Sequence, residues 1–306
     1  MDKVELKDET AILPNPCYVQ CDDNLELLLS QPDESVDLIY CDILYGTGRN
    51  FGDYQDLKPI RSEIEAHYLP RLKEMHRVLK RTGSIYLQMD YRINHWIRCL
   101  MDDVFGYDKF RNEIVWCYTM PNNYKKAFNR KHDTIYFYSK SDNWTFNWKD
   151  VTIEYSESSK NRAKYAHSKT SQMGKNGSML LEEGKLPEDY WLMPVVAGNE
   201  RIGYQTQKPK ALIERIIKAS SNKGATILDP FSGTFTTSFV AKSLDRKSIA
   251  IELQDEYVKI GLRRLNLATE FNGEALQKPI KTHEIDKTQS SQKLNLFESN
   301  GAYVHQ

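Results

Sequence analysis

Short apolar runs alternate with stretches of helical period along the first third of the chain. Val36-Asp-Leu-Ile-Tyr-Cys-Asp42 is rich in strand-forming residues, ends on an acid and opens into Gly46-Thr-Gly48, which predicts a buried strand feeding a functional loop. Before it, Asp22 to Leu29 reads as a short capped helix that stops near Pro32. After it, Ile64, Tyr68, Leu72, Met75 and Leu79 recur at helical spacing up to Arg81, with Gly83 as the expected stop and Pro70 as an expected kink or break. Ser84 to Asp90 is a second strand and Arg92 to Phe105 a second helix. Strands alternating with helices predict parallel strands covered on both faces.

The texture changes at Arg111. Glu113 to Tyr118 and Asp133 to Tyr138 read as two strands joined by a basic loop, Asn122 to Lys131. Residues 141–203 are polar, dotted with aromatics and weakly periodic, as expected of an inserted segment outside the core. The alternation resumes at Thr206-Gln-Lys-Pro209. Pro209 suits a first helical turn, and Leu212, Ile213, Ile216, Ile217 and Ala219 form a broad apolar stripe. Ala225 to Asp229 is a strand, 230–236 a turn, and 237–244 a helix. Ser248 to Glu252 is the next strand and 256–267 the next helix. The pattern divides the chain into a first half of a core at 15–140, an insertion at 141–203 to which the loop 119–132 contributes, a second half at 204–270, and a polar tail at 271–306 expected to be loosely ordered. No internal repeat is present.

Composition narrows the classes. The 306 residues carry 42 basic and 42 acidic side chains, so any nucleic-acid surface has to be local. No apolar run reaches membrane-spanning length and the start MDKVELKDET is charged, so a soluble cytoplasmic protein is expected, with no membrane partner. Cys17 and Cys21 are spaced like half a metal site, but no second Cys/His pair accompanies them, and no metal is expected.

Two segments carry chemistry. In Asp229-Pro-Phe-Ser-Gly-Thr-Phe-Thr236 a strand ends in an acid and turns through small residues into a helix; the following strand ends in Glu252. Backbone N–H groups of such a turn can approach a ligand, and an acid at the next strand end can hold ribose hydroxyls. Alone, the turn is equally an ordinary strand-to-helix connection. In Asp42-Ile-Leu-Tyr45 a carboxylate stands at a strand's carboxyl end, with an aromatic ring three positions on. Methyl transfer to an aromatic amine needs acceptors for the amine hydrogens, which a carboxylate and a neighbouring carbonyl supply. A ring can stack on a base drawn from its duplex. Alone, this segment is also a strand-end acid beside a core tyrosine.

In this order the two segments resemble the β-type DNA amino-methyltransferases, whose catalytic Asp/Asn/Ser-Pro-Pro-aromatic motif precedes the recognition segment and whose Phe-x-Gly-x-Gly cofactor motif follows it. The resemblance spans most of residues 20–268. It includes Gly46-Thr-Gly48 with Asp53-Tyr54, which is much like type III modification subunits, as well as His132 to Ser139 and Tyr204 to Ile217. It implies a Rossmann-like α/β sheet with helices on both faces and an inserted target-recognition region, acting on double-stranded DNA with S-adenosylmethionine. The resemblance implies that Asp42 and the Ile43 carbonyl accept from the target amine and that Tyr45 stacks on the flipped base. It places Asp229, Phe231, Ser232, Gly233 and Thr234 along the cofactor, Glu252 on its ribose, and Thr206, Gln207 and Lys208 near its methionine part.

For DNA contact, Arg49 follows the catalytic motif. Lys125, Lys126, Arg130 and Lys131 stand with Tyr124 and Phe128, while Lys160, Arg162, Lys164, His167 and Lys169 stand with Tyr165. Each cluster alone also reads as a solvated loop.

Two positions depart from the family. Ile43-Leu44 replace the prolines that restrict the backbone aiming the carbonyl. Phe235 replaces a very small residue, and its ring has either to clash with the cofactor or to turn away into the core. The resemblance implies adenine N6 as the target, because the motif begins with Asp rather than Ser. Cytosine N4, and a weakly active or inactive DNA-binding homologue or partner subunit, stay open, as do a homodimer and a restriction partner. A nucleotide-dependent oxidoreductase is disfavoured, because Gly-x-Gly-x-x-Gly is absent after the candidate cofactor strand.

Overall fold

A computed structural model describes residues 17–50, 56–119, 125–160, 183–202, 206–268 and 270–276. The strands, in chain order, are β1 (Cys17–Cys21), β2 (Val36–Asp42), β3 (Leu79–Met89), β4 (Phe110–Cys117), β5 (His132–Ser139), β6 (Tyr190–Leu192), β7 (Thr226–Asp229) and β8 (Lys247–Glu252). The helices are α1 (Asn24–Ser30), α2 (Arg61–Val78), α3 (Asn94–Phe105), α4 (Lys210–Ser220), α5 (Thr236–Ser243) and α6 (Asp255–Leu265). A short hairpin of Glu270–Phe271 and Glu274–Ala275 closes the described chain.

The eight strands form one sheet in the order β1-β8-β7-β2-β3-β5-β4-β6. β1, β8, β7, β2 and β3 run parallel, β5 is antiparallel to both β3 and β4, and β6 is parallel to β4. Because side chains alternate across a strand, β2 sends Ile39 and Cys41 to a core under α1, α2 and α3, and Leu38 and Tyr40 to a second core under α4 and α5, while Val36, before the register shift of the strand, joins the first core. β5 divides likewise, Tyr136 and Tyr138 to the first core and Ile135 and Phe137 to the second. Helices on both faces follow from strands that are apolar on both sides.

Several boundaries differ from the sequence reading. Helix α2 runs unbroken past Pro70 and ends at Val78. Gly83 is no helix stop: it lies in β3, where a Cβ would stand 2.9 Å from the carbonyl oxygen of Asp37. The β2–β3 register jumps there, from Val36 opposite Leu79 to Leu38 opposite Ser84. Strand β1 had no strong apolar signal and enters as the partner of β8. The segment read as an insertion outside the core contributes β6 to the sheet edge and buries Val151, Trp191, Met193 and Val196. The tail expected beyond residue 271 lies mostly outside the described residues.

Between β2 and β7 the order of connection reverses: the chain leaves β2 toward β3 on one side, and β7 toward β8 on the other. Open α/β sheets hold ligands at such a switch point, beyond the carboxyl ends of the strands. Asp42 ends β2 and Asp229 ends the adjacent β7. The fold therefore sets side by side the two segments that the sequence holds far apart.

Candidate active site

A cavity of about 260 Å³ opens at this point, and all of the predicted catalytic and cofactor residues line it. Its floor on the β7–β8 side is held by backbone donors. Glu252 accepts hydrogen bonds from the N–H of Gly233 (2.8 Å) and of Gln254 (3.0 Å). The Leu253 N–H also acts on this carboxylate, whose remaining acceptor capacity is left for a ligand hydroxyl. Asp229 accepts from the Phe231 N–H at 3.1 Å and the Thr237 hydroxyl at 2.5 Å, and burial pushes its carboxyl up to about 7. Burial also raises Glu252, against the pull of its N–H donors. Ser232 stitches the turn to β8, with its N–H on the Ile251 carbonyl (3.0 Å) and its hydroxyl accepting from the Ile251 N–H (3.1 Å). Asn24 ties α1 to the same turn through the Pro230 carbonyl (2.9 Å).

The ring of Phe235 turns away from the cavity. The residue is left-handed (φ 60°, ψ 33°), fully buried, and packed with Val19, Ala250, Val258, Leu262, Leu265 and Phe271. Its ring lies over Gly261 of α6, where an added Cβ would sit 2.2 Å from Phe235 Cδ2. A large side chain at the turn is thus matched by a missing one on the helix it meets, and Gly233 and Thr234 are left to face the cavity.

The β2 side is built around Asp42. One carboxylate oxygen pairs with Lys208 and the other accepts from the Tyr45 hydroxyl at 2.8 Å. Burial drives the Asp42 carboxyl up, and the Lys208 ammonium opposes that shift. Lys208 was expected near the cofactor's methionine part; it lines the cavity, but its charge is spent on Asp42. Gln207 braces the segment before α4, donating to the Glu200 carbonyl (2.8 Å) and accepting from the Ile202 N–H (3.0 Å).

Where the family has prolines, hydrogen bonds hold the backbone. The Ile43 N–H, which proline would lack, donates to the Gln88 carbonyl at 3.1 Å, and the Tyr68 hydroxyl donates to the Leu44 carbonyl at 3.1 Å. Asp56 then takes the N–H groups of Gly46 (3.2 Å) and Thr47 (2.7 Å). Gly46 is left-handed (φ +61°), and a Cβ there would meet Ile93 at 2.7 Å.

Sequence reasoning missed the residues behind Asp42. Tyr45 also reaches Asp133 of β5 at 2.7 Å, and Asp133 accepts from Tyr118 (3.1 Å) and Gln88 (3.0 Å). Asp133 is the second residue of β5, which runs antiparallel to β3, so the start of β5 lies at the same sheet end as Asp42. An acid at the head of an apolar strand was the available signal, and its significance depends on the strand's direction. His67 and Arg71 of α2 were missed as well, although both line the cavity. His67 is held neutral, pushed down to about 4 by burial and the Arg71 charge, and its buried Nε2 has no hydrogen-bond partner among the described residues.

The expected DNA-contact residues divide. Arg49, Lys125, Lys126 and Arg130 are exposed, and Arg130 stacks 4.1 Å over the Tyr91 ring while donating to its hydroxyl (3.0 Å). Phe128 is wholly exposed. Lys131 is half-buried, its carbonyl accepting from the Tyr118 N–H (2.9 Å). Lys160 is engaged by Glu154 (3.2 Å) and Glu157 (3.0 Å). Arg162 and Lys164 lie outside the described residues, together with Tyr124, Tyr165, His167 and Lys169.

Residues 36–263 match the family model described as DNA methylase, of the N6/N4 methyltransferases. The chain belongs to that family. It is similar to the DNA adenine methyltransferase YhdJ of Escherichia coli (strain K12), with 35% identity over 261 residues, 84% of this chain and 85% of that protein. It is also similar to the type II methyltransferase M.HpaI of Haemophilus parainfluenzae, at 31% identity over 83% of this chain and 74% of that one. Among solved structures it resembles the PvuII DNA methyltransferase (cytosine-N4-specific), with a TM-score of 0.58 and 18% identity over 85% of this chain and 89% of that chain. It likewise resembles the M1.HpyAVI–SAM complex, with a TM-score of 0.54 and 20% identity over 82% and 100%. At such identities the structural likeness concerns the fold. No helix among the described residues of this DNA methylase is long and apolar enough to cross a membrane.

Proposed function

We propose that this DNA methylase transfers a methyl group from S-adenosylmethionine to the N6 amine of adenine in double-stranded DNA, at a specific sequence. The observation that carries the reading is Asp42, a half-buried carboxylate standing in the same cavity as Glu252 and Asp229. The naming of a relative at 35% identity as a DNA adenine methyltransferase supports adenine as the base.

The cavity residues fit the cofactor. Glu252 offers free lone pairs for ribose hydroxyls, Gly233 lets the backbone come close, and the unpaired His67 Nε2 offers a polar contact. Asp229, which burial makes reluctant to ionise, is favoured as a carboxylate beside a cation. When bound, S-adenosylmethionine supplies a methyl group on a positively charged sulfur. The chain's own work is to hold the base amine. Asp42 and the Ile43 carbonyl take its hydrogens, so the nitrogen lone pair points at the donor and the growing positive charge is offset. The Tyr45 ring, on the cavity wall, stacks on the base, and fixed alignment of the reacting atoms supplies much of the rate.

The test is nucleoside analysis of duplex DNA incubated with the protein and labelled S-adenosylmethionine. Label in N6-methyladenine is expected. Label in N4-methylcytosine would overturn the choice of base, and unlabelled DNA would overturn the activity.

A further inference from the structure

We propose that Asp133 is the positioning residue that receives, through the Tyr45 hydroxyl, the proton shed by the target amine. The inference rests on the methyl-transfer reading above and assigns the part of that reaction the reading leaves open. A Tyr hydroxyl carries one hydrogen. Tyr45 nonetheless lies 2.8 Å from Asp42 Oδ1 and 2.7 Å from Asp133 Oδ2, hydrogen-bond distance from two carboxylates at once. With both acids ionised, one of these short contacts has no hydrogen in it. A single further proton fills the gap: Tyr45 then donates to one carboxylate and accepts from the other, now a carboxylic acid. The three groups form a slot for one proton.

Methyl transfer to an amine releases one proton. The amine lone pair forms the nitrogen–carbon bond while the carbon–sulfur pair stays on sulfur. An N–H bond then breaks, its pair returning to nitrogen, and its proton passes to Asp42 Oδ1. Tyr45 takes that proton and hands its own to Asp133 Oδ2, which leaves Asp42 anionic beside Lys208. The Lys208 ammonium favours the charged form of Asp42, so it drives the proton onward. Asp133 is fixed for the role, with Tyr118 on Oδ1 and Gln88 on Oδ2, and Gln88 in turn held by Tyr40 at 2.8 Å. Among the described residues, the other charged or titratable groups acting on these acids include Lys208, Asp229, Tyr40, Cys41, Tyr118 and Asp90.

The proposal is tested on the full chain with Tyr45→Phe, which keeps the ring and cuts the path, and Asp133→Asn, which keeps the shape and removes the acceptor. Single-turnover methylation is expected to fall about 100-fold in each, and no further in the double variant, because both break one relay. Base binding is expected to be unchanged in Asp133→Asn. A second readout needs no turnover. Carboxyl carbon NMR of the free protein should show Asp42 and Asp133 responding to pH together, and independently in Tyr45→Phe. Wild-type rate in either variant, multiplicative losses in the double variant, or independent titration in the unaltered protein would overturn the relay. If the unaltered protein methylates no DNA, the activity reading fails first, and the NMR result alone decides whether the proton slot exists.

Discussion

Gly261 gives a prediction whose sign separates a compensated site from a damaged one. In a helix interior, Gly→Ala normally stabilises by about 1 kcal/mol, since alanine is the better helix former. Here the new Cβ would lie 2.2, 2.4 and 2.5 Å from Phe235 Cδ2, Cγ and Cε2, while carbon atoms prefer about 3.5–4.0 Å. The ring has to move by more than about 1 Å, and it is enclosed by Val19, Ala250, Val258 and Leu262 on a backbone fixed in the left-handed region. Overpacking costs about 1–3 kcal/mol, and a ring this confined belongs at or beyond the upper end. Subtracting the helical gain leaves Gly261→Ala about 2 kcal/mol less stable than the parent.

Phe235→Gly removes the ring and the left-handed strain together. It loses about 3–5 kcal/mol of burial and regains about 1–3, for a net loss of about 2 kcal/mol. In that background Gly261→Ala should stabilise by about 1 kcal/mol, because nothing stands in its way. The expected coupling is therefore about 3 kcal/mol, at the upper end for residues in contact. Urea unfolding midpoints of the four proteins at constant slope measure it. Calorimetry with S-adenosylmethionine accompanies them, with similar affinity expected for the parent and Phe235→Gly. If Gly261→Ala stabilises the parent, or if only Phe235→Gly binds the cofactor, the ring belongs in the cavity and the compensation argument is wrong.

Asp42→Ala should abolish methyl transfer while leaving S-adenosylmethionine affinity nearly unchanged; turnover in that variant would remove Asp42 from the chemistry. Burial raises Asp229 in the folded state to about 7, so its stabilising contribution is whole below about pH 4 and is lost as pH climbs through about 7. Asp229→Asn lacks that dependence and should gain stability relative to the parent as pH rises from about 4 to about 7 in thermal unfolding; a constant difference would show that Asp229 titrates normally. Replacing Lys125, Lys126 and Arg130 by alanine should weaken duplex binding for all sequences alike and lower the salt dependence by about one unit for each phosphate left without its cation. An unchanged salt slope would move the DNA surface elsewhere.

The sheet and its chemistry were legible where the residues repeat a local pattern. Val36 to Asp42 and Ala225 to Asp229 announce themselves by apolar runs ending in acids, and both strands formed with those acids at the cavity. What local pattern cannot carry is partnership. Asp133 matters only because β5 runs against β3 and brings its first residues to Asp42. Gly83 looked like a helix stop because a glycine after an apolar stripe usually is one; its reason for being glycine is the Asp37 carbonyl, on another strand. Trp191 and Met193 were hidden in a polar segment, since a three-residue edge strand is too short to show a period.

The same distinction answers the doubt raised by the two departures from the family pattern. Proline restricts a backbone through its own ring, a local device visible in sequence. The Ile43-Leu44 segment is restricted from outside, by the Gln88 carbonyl on one residue and the Tyr68 hydroxyl on the next, while the Ile43 side chain packs into the first core. Those bonds demand more of the surrounding fold, because β3 and α2 have to be in place before the loop is held. The prolines are missing where an N–H donor is present, and the small residue of the cofactor turn is missing where Gly261 makes room for a ring. A chain drifting out of function would accumulate the first change of each pair without the second. Both pairs are complete here, which favours an enzyme that reaches the family's geometry by different contacts. The Asp42–Lys208 ion pair adds to the case: an acid without a task is a poor candidate for partial desolvation at a switch point, and this one is kept there with a dedicated counter-charge.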